Sequence, residues 1–203
     1  MNRNQRAALA NPNLEFGAST FLGQPVGPKQ MLVVFADREA QEPYEKKILL
    51  NCPDGTPVPP NFTANQNLTL LVLPSNINDM IQTSGAFASC PMLETVVGIE
   101  DLETITEAEF ANCPLLKVSR LNATIIGPSA FTEDIGLERV ELTNVEGVEN
   151  DAFFGAINAT IVLNDNVEYV NGGAFEGIDN LIYHGSLEGA PWGATKWNGV
   201  PQN

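Results

Sequence analysis

Three cysteines, one histidine, adjacent acid pairs and four Asn-x-Thr sites are the residues of this chain whose types invite chemistry. Each cysteine precedes a proline: Cys52-Pro53, Cys90-Pro91 and Cys113-Pro114. Three cannot complete a disulfide framework, and no histidine or fourth ligand stands beside them to close a tetrahedral metal site. A Ser-His or Cys-His nucleophile needs the base within hydrogen-bond reach of the attacking group. His184 sits in Tyr183-His184-Gly185 with no such motif around it, so it reads as a surface residue. Glu100-Asp101 and Glu133-Asp134 would offer Ca²⁺ clustered oxygens, but they lack the Asp-x-Asp-x-Asp-Gly spacing of a calcium loop and read as solvated turns. Asn61, Asn67, Asn122 and Asn158 begin glycosylation sequons, which matter only in a eukaryotic secretory route and otherwise form turns. There is no P-loop, dinucleotide fingerprint or basic aromatic stripe, and a net charge of −15 argues against a nucleic-acid partner. The expectation is therefore a non-enzyme with no catalytic residue, metal or cofactor.

The elements that would position any site announce themselves as a repeat. Gly85-Ala86-Phe87, Ala108-Glu109-Phe110, Ser129-Ala130-Phe131, Asp151-Ala152-Phe153 and Gly173-Ala174-Phe175 recur at intervals of 23, 21, 22 and 22 residues. A fixed period of this length marks a solenoid, each unit one coil. Five residues before phenylalanine stands Ile105, Ile126, Val148 or Val170, with Ile81 displaced by one. Six residues after it comes Leu93, Leu116, Leu137 or Leu181, with Ala159 in the fourth unit. A strand alternation follows, clearest in Leu137-Glu138-Arg139-Val140-Glu141-Leu142, where Val140 and Leu142 point inward and Arg139 and Glu141 outward. The phenylalanines should stack as an internal column, with alanine allowing close approach.

That alternation nominates a contact face. Thr95, Val97, Lys117, Ser119, Arg139, Glu141, Thr160 and Val162 align as an outward row at coil spacing, the way a solenoid presents a binding surface. Cys90 and Cys113 share the third place after phenylalanine, so they should lie roughly 5 Å apart, one strand spacing. They form either a disulfide across coils or a pair of small buried thiols, the reading favoured here.

The rest of the chain divides unevenly. Residues 1–30 are rich in Asn, Gln, Gly and Pro and read as an extended arm, whose Leu14, Phe16, Phe21 and Leu22 would dock on a partner or on the body. Met31–Phe35 reads as a buried strand, and Pro43–Leu50 as either a helical turn or a second strand. Residues 51–61 form a Pro-rich boundary loop, and Phe62 opens an irregular first repeat in a solenoid over 62–203. Trp192 and Trp197 suit a cap over the open end, the alternative being an aromatic sugar-binding shelf. Residues 1–50 hold six Lys or Arg against five acids, whereas the remainder holds four against twenty. A near-neutral head on an acidic body reads either as acids that simply keep a repeat array soluble or as two parts in different surroundings, with 1–50 an anchoring segment for an assembly partner. No apolar run is long enough to span a bilayer, and Ala7-Ala8-Leu9-Ala10 is too short for a secretory core, so no signal peptide is expected.

Gly85-Ala86-Phe87-Ala88-Ser89-Cys90-Pro91-Met92-Leu93 and Phe110-Ala111-Asn112-Cys113-Pro114-Leu115-Leu116 resemble the units of BspA-like (Treponema pallidum type) leucine-rich repeats, as does the closing Tyr183-His184-Gly185 with Pro191-Trp192-Gly193-Ala194. The resemblance covers about residues 62–197; cysteine gives way to Asp134, Ala156 and Ile178 in the later units. It implies a mostly β, or α-β, right-handed solenoid of about five to six short coils, with an irregular N-terminal segment and a C-terminal aromatic cap. It also implies a non-catalytic module, at a cell surface or secreted, that binds protein or glycan. The second functional expectation is a structural component of a larger assembly such as a phage virion, anchored through residues 1–50.

Overall fold

A 22-residue unit cannot bury both of its faces alone, so neighbouring coils must supply each other's partners. The computed structural model, which describes residues 20–21, 24–37, 44–58 and 62–199, shows how they do so. A short antiparallel pair, β1 (Thr20–Phe21) and β2 (Gln24–Pro25), precedes the main body. Most of the arm expected at 1–30 lies outside the described residues. β3 (Gln30–Asp37) and β4 (Tyr44–Asn51) then form an antiparallel hairpin running from Gln30↔Asn51 to Asp37↔Tyr44. The segment left open between helical turn and strand is thus a strand. β3 also pairs antiparallel with β5 (Leu68–Val72), and β5 pairs in parallel with β6 (Thr95–Val97). Met31 and Val33 of β3 belong to the same core as the repeat residues.

From β5 onward every coil stacks in parallel on the last. β7 (Thr104–Ile105), β9 (Ile125–Ile126), β11 (Gly147–Val148) and β13 (Tyr169–Val170) make one ladder, in that spatial order. A second ladder runs β8 (Arg120–Leu121), β10 (Arg139–Leu142), β12 (Thr160–Leu163), β14 (Asn180–Ile182) and β15 (Lys196–Asn198). The Ala-Phe corners build a third ladder from main-chain bonds alone. Phe87 N–H donates to Glu109 O at 3.1 Å, Phe110 to Ala130 at 3.0 Å, Phe131 to Ala152 at 2.7 Å and Phe153 to Ala174 at 2.8 Å. To turn this corner the chain takes positive φ on both sides of the ring. Ala108, Ser129 and Asp151 (52–57°) precede it, and Ser89, Asn112 and Glu133 (57–61°) follow it. Each such residue costs on the order of 1 kcal/mol over a relaxed backbone, which the ladder bonds and the buried ring offset.

Inside, the rings stack as expected. Centroids from Phe62 through Phe87, Phe110, Phe131, Phe153 and Phe175 lie 5.2–6.1 Å apart, with interplanar angles of 9–20°. Phe35 of β3 closes the column at one end (6.2 Å from Phe62) and Trp192 at the other (6.3 Å from Phe175). Trp192 also packs on the buried Tyr183 at 5.4 Å, so it covers the open end of the core. Trp197 lies in β15, partly buried against the same core.

Coils approach closely enough that Gly127 and Gly136 are obligatory for space alone. A Cβ on Gly136 would lie 2.6 Å from Pro114 O and 2.9 Å from Leu116 O, both main-chain atoms of the preceding coil. Gly136→Ala should therefore destabilise the chain by about 1–3 kcal/mol, the usual cost of overpacking. Equilibrium urea unfolding measures it, and an unchanged midpoint would mean the coils can part without cost.

Candidate functional site

All eight residues nominated for the outward row are exposed or half-buried, while their neighbours Val96, Val118, Val140, Leu142, Ile161 and Leu163 are buried. Thr95 and Val97 lie on β6, Arg139 and Glu141 on β10, and Thr160 and Val162 on β12. Register sets Arg139 beside Thr160 and Glu141 beside both Val162 and Arg120. Lys117 and Ser119 precede β8, at a place where the sheet is interrupted.

The interruption has a sequence cause. In the third unit the inward residues are Leu137, Val140 and Leu142, spaced three and then two; in the second they are Leu116, Val118 and Leu121, spaced two and then three. Residues 117–119 are therefore out of phase with β6, and Lys117 N–H to Glu94 O (3.0 Å) bridges that gap. The result is a groove of about 930 Å³ with Val96 and Val118 among its lining. It brings together Thr95, Val97, Lys117, Ser119, Arg139 and Glu141 of the nominated row; Thr160 and Val162 stand one strand beyond it. Arg120, which was not nominated, also lines the groove. Its signal in the sequence was its charge and its place one residue before the inward Leu121, level with Glu141.

Three of the four cations of residues 51–203 line this one groove. Lys117 Nζ meets Glu138 Oε1 at 3.1 Å, and Arg120 and Arg139 share Glu141 at 3.5 and 3.6 Å. These exposed pairs contribute little to stability, about 0–1 kcal/mol each. They leave guanidinium donors available in a locally balanced patch on an acidic body.

The residues first singled out for chemistry are dispersed. His184 is exposed after β14, its main-chain N–H donating to Asp165 Oδ1 at 3.3 Å. Cys52, Cys90 and Cys113 are free, buried thiols. Cys90 donates to Phe62 O (3.0 Å) and Cys113 to Phe87 O (3.3 Å), so each thiol ties its coil to the previous phenylalanine. The hydrogen-bonded Cys90, then burial and the Asp134 charge, hold the Cys113 thiol well above the ordinary range, which makes it a poor nucleophile. The pair Glu133-Asp134 splits, with Glu133 exposed and Asp134 fully buried, so the two cannot share an ion. Among the described residues no three His, Cys, Asp or Glu side chains converge as metal ligands, and no helix is long and apolar enough to cross a membrane.

Two acids are buried: Glu109, and Asp134, which is sealed in the core and not in the solvated turn expected of it. Glu109 occupies the alanine place before Phe110, and its Oε2 accepts Thr106 N–H (2.7 Å) and Thr106 Oγ1–H (3.0 Å). Thr106-x-x-Glu109 is a capping-box pattern that was legible as such. Burial raises the Glu109 carboxyl above its usual range. Asp134 takes the cysteine place, and its Oδ1 accepts Cys113 N–H at 2.6 Å.

The repeat geometry agrees with the comparison to known families. A family model described as the BspA type leucine-rich repeat region matches residues 58–182 in six copies. The chain belongs to the BspA-type leucine-rich repeat family. As a BspA-type array it is an interaction scaffold of the kind that binds proteins, in a fold that is typically non-catalytic. The match begins at Val58, slightly before the irregular first unit expected at Phe62. No curated protein and no solved structure matches this BspA-type chain.

Proposed function

We propose that this BspA-type array is a non-catalytic binding module whose protein partner is taken on the outer strand face, centred on the groove between β6 and β10. The observation that carries this reading is the concentration of Lys117, Arg120 and Arg139 in that groove on a body otherwise dominated by acids. An extended row of mixed polar, charged and apolar side chains on a rigid support fits protein recognition, and it places those side chains with little ordering cost. Glycan recognition on the same row, in adhesion at a cell surface, is the narrower version that the family resemblance implies.

Panning a displayed library of random twelve-residue peptides against the chain tests the face. Binders are then titrated against Arg139→Ala/Ser119→Arg and against a control, Glu188→Gln. A loss of tenfold or more in the groove variant, with the control unchanged, is the expected result. Binders indifferent to the groove variant would remove the face from consideration.

The charge division along the chain favours a second setting, in which residues 1–50 anchor the array in a larger assembly such as a virion. Met31 and Val33 are core residues, so a deletion testing this must stop before β3. Removing residues 1–19 should abolish incorporation while leaving the array folded. Normal incorporation of the truncated chain would end the anchoring idea.

A further inference from the structure

The second surface of interest lies on the Ala-Phe edge of the solenoid, away from the strand face. Five large apolar side chains are substantially exposed among the described residues, and four of them, Leu115, Ile135, Phe154 and Ile157, stand one, four or five positions after a stacked phenylalanine. Their exposure runs from 38 to 57%. The fourth position reads Pro91, Pro114, Ile135 and Ile157 through successive coils, and these four line a shallow groove of about 700 Å³ along the array. Nothing in the corner geometry calls for isoleucine there. Ile135 and Ile157 each use only the main chain, donating N–H to Glu133 O and Gly155 O at 2.9 and 2.8 Å. Scattered exposed leucines need no explanation, but a contiguous apolar ridge at coil spacing marks a contact surface.

Charge and spacing specify the occupant. Glu133 lines the groove, and Asp151 and Glu176, both exposed, flank Gly173 on the same edge. Of the cations of residues 51–203, three occupy the strand-face groove, and Lys196 is neutralised by Asp179, which holds the fourth position one coil beyond Ile157. Successive coils are separated by 5.2–5.8 Å at the stacked rings. An α-helix advances about 5.4 Å per turn, so apolar side chains one turn apart meet successive coils. We propose that this ridge docks a basic amphipathic helix of a partner protein, laid along the solenoid axis with its apolar face on Ile135 and Ile157 and its cations toward Glu133, Asp151 and Glu176. This mode uses i, i+3/i+4, i+7 anchors in a hydrophobic groove. It is independent of the strand-face reading.

The test uses the full chain and a fluorescent 18-residue amphipathic Leu/Lys peptide, with a Leu/Glu peptide of the same pattern as counterpart. Anisotropy should show binding of the Leu/Lys peptide alone. Ile135→Asn/Ile157→Asn, which leaves the core untouched, should weaken it at least tenfold. Glu133→Gln/Asp151→Asn/Glu176→Gln should weaken it three- to tenfold and flatten its salt dependence. Equal affinity for the isoleucine variant would mean that the peptide merely adheres to an acidic body, and the proposal fails. It fails equally if the Leu/Glu peptide binds as well. A dimer in sedimentation velocity that Ile135→Asn/Ile157→Asn abolishes would assign the ridge to a second copy instead, and would also overturn the proposal.

Discussion

Phe131→Ala is expected to cost about 3–5 kcal/mol, the range for emptying a buried aromatic site. Phe131 has no exposed surface and is stacked on both sides, 5.7 Å from Phe110 and 5.2 Å from Phe153. Its corner cannot collapse to fill the void, because the Phe131 main chain is fixed in the ladder by Ala152 O and the preceding coil by Phe110 N–H to Ala130 O. Stability in such an array is a sum of unit and nearest-neighbour terms, so a defect at mid-array weakens two interfaces at once. Phe62, at the end of the column and slightly exposed, should cost less on the same substitution. The check is equilibrium urea unfolding of both variants with two probes. Phe131→Ala should lower the midpoint more than Phe62→Ala and broaden or split the transition, since the halves on either side are then coupled less strongly. Equal effects of the two substitutions would show that the rings do not act as a cooperative spine.

The second large effect concerns pH. Asp134 is fully buried; its Oδ1 accepts Cys113 N–H, and its Oδ2 has no hydrogen-bond partner. Burial pushes its carboxyl up to about 8, against the lowering effect of the Cys113 N–H. An unfolded aspartate titrates near 3.9, so between roughly pH 4 and 8 the folded chain holds a proton that the unfolded chain has lost. Stability contributed by this group is therefore full at low pH and falls as pH rises through that window, levelling off above it. The first two units place cysteine at this position and satisfy it with the carbonyl of the previous phenylalanine. Asp134→Cys, measured under reducing conditions, should accordingly stabilise the chain at pH 8 by on the order of 3 kcal/mol and change little at pH 4.5. The diagnostic quantity is the difference in unfolding free energy between the two pH values. If parent and variant show the same pH dependence, Asp134 is not the titrating group.

Much of this architecture was legible in the sequence because solenoid physics is local and periodic. A residue's depth depends on its place in the unit, so Ala-Phe, the branched aliphatic before it and the leucine after it could be placed by counting. The phenylalanine column and the identity of the family were both readable in this way. Strict counting also exposed Thr95, Val97, Arg139, Glu141, Thr160 and Val162 as an outward row, though not what that row binds. Where one unit departs from the period, counting loses its hold. Leu116, Val118 and Leu121 place one inward residue out of phase with the neighbouring units, and the groove this leaves between coils depends on those neighbours as well. The hairpin of β3 and β4 lay beyond the period altogether. Its first strand was legible at Met31–Phe35, but Pro43–Leu50 reads equally as a helical turn or a strand, and the pairing of β3 with β5 depends on an edge that exists only once the coils have stacked.

The sequence by itself therefore determined the repeat, its spine and its family, because those rest on short-range spacing repeated many times. The tertiary structure alone decided which charges share a groove, which acid is entombed and which apolar residues remain uncovered. Asp134 and Ile135 are neighbours in the chain, yet one is sealed in the core and the other stands exposed on the edge. That difference is set by the αL turn at Glu133 and the coil packed above it, and contacts between coils are not written in any single stretch of residues.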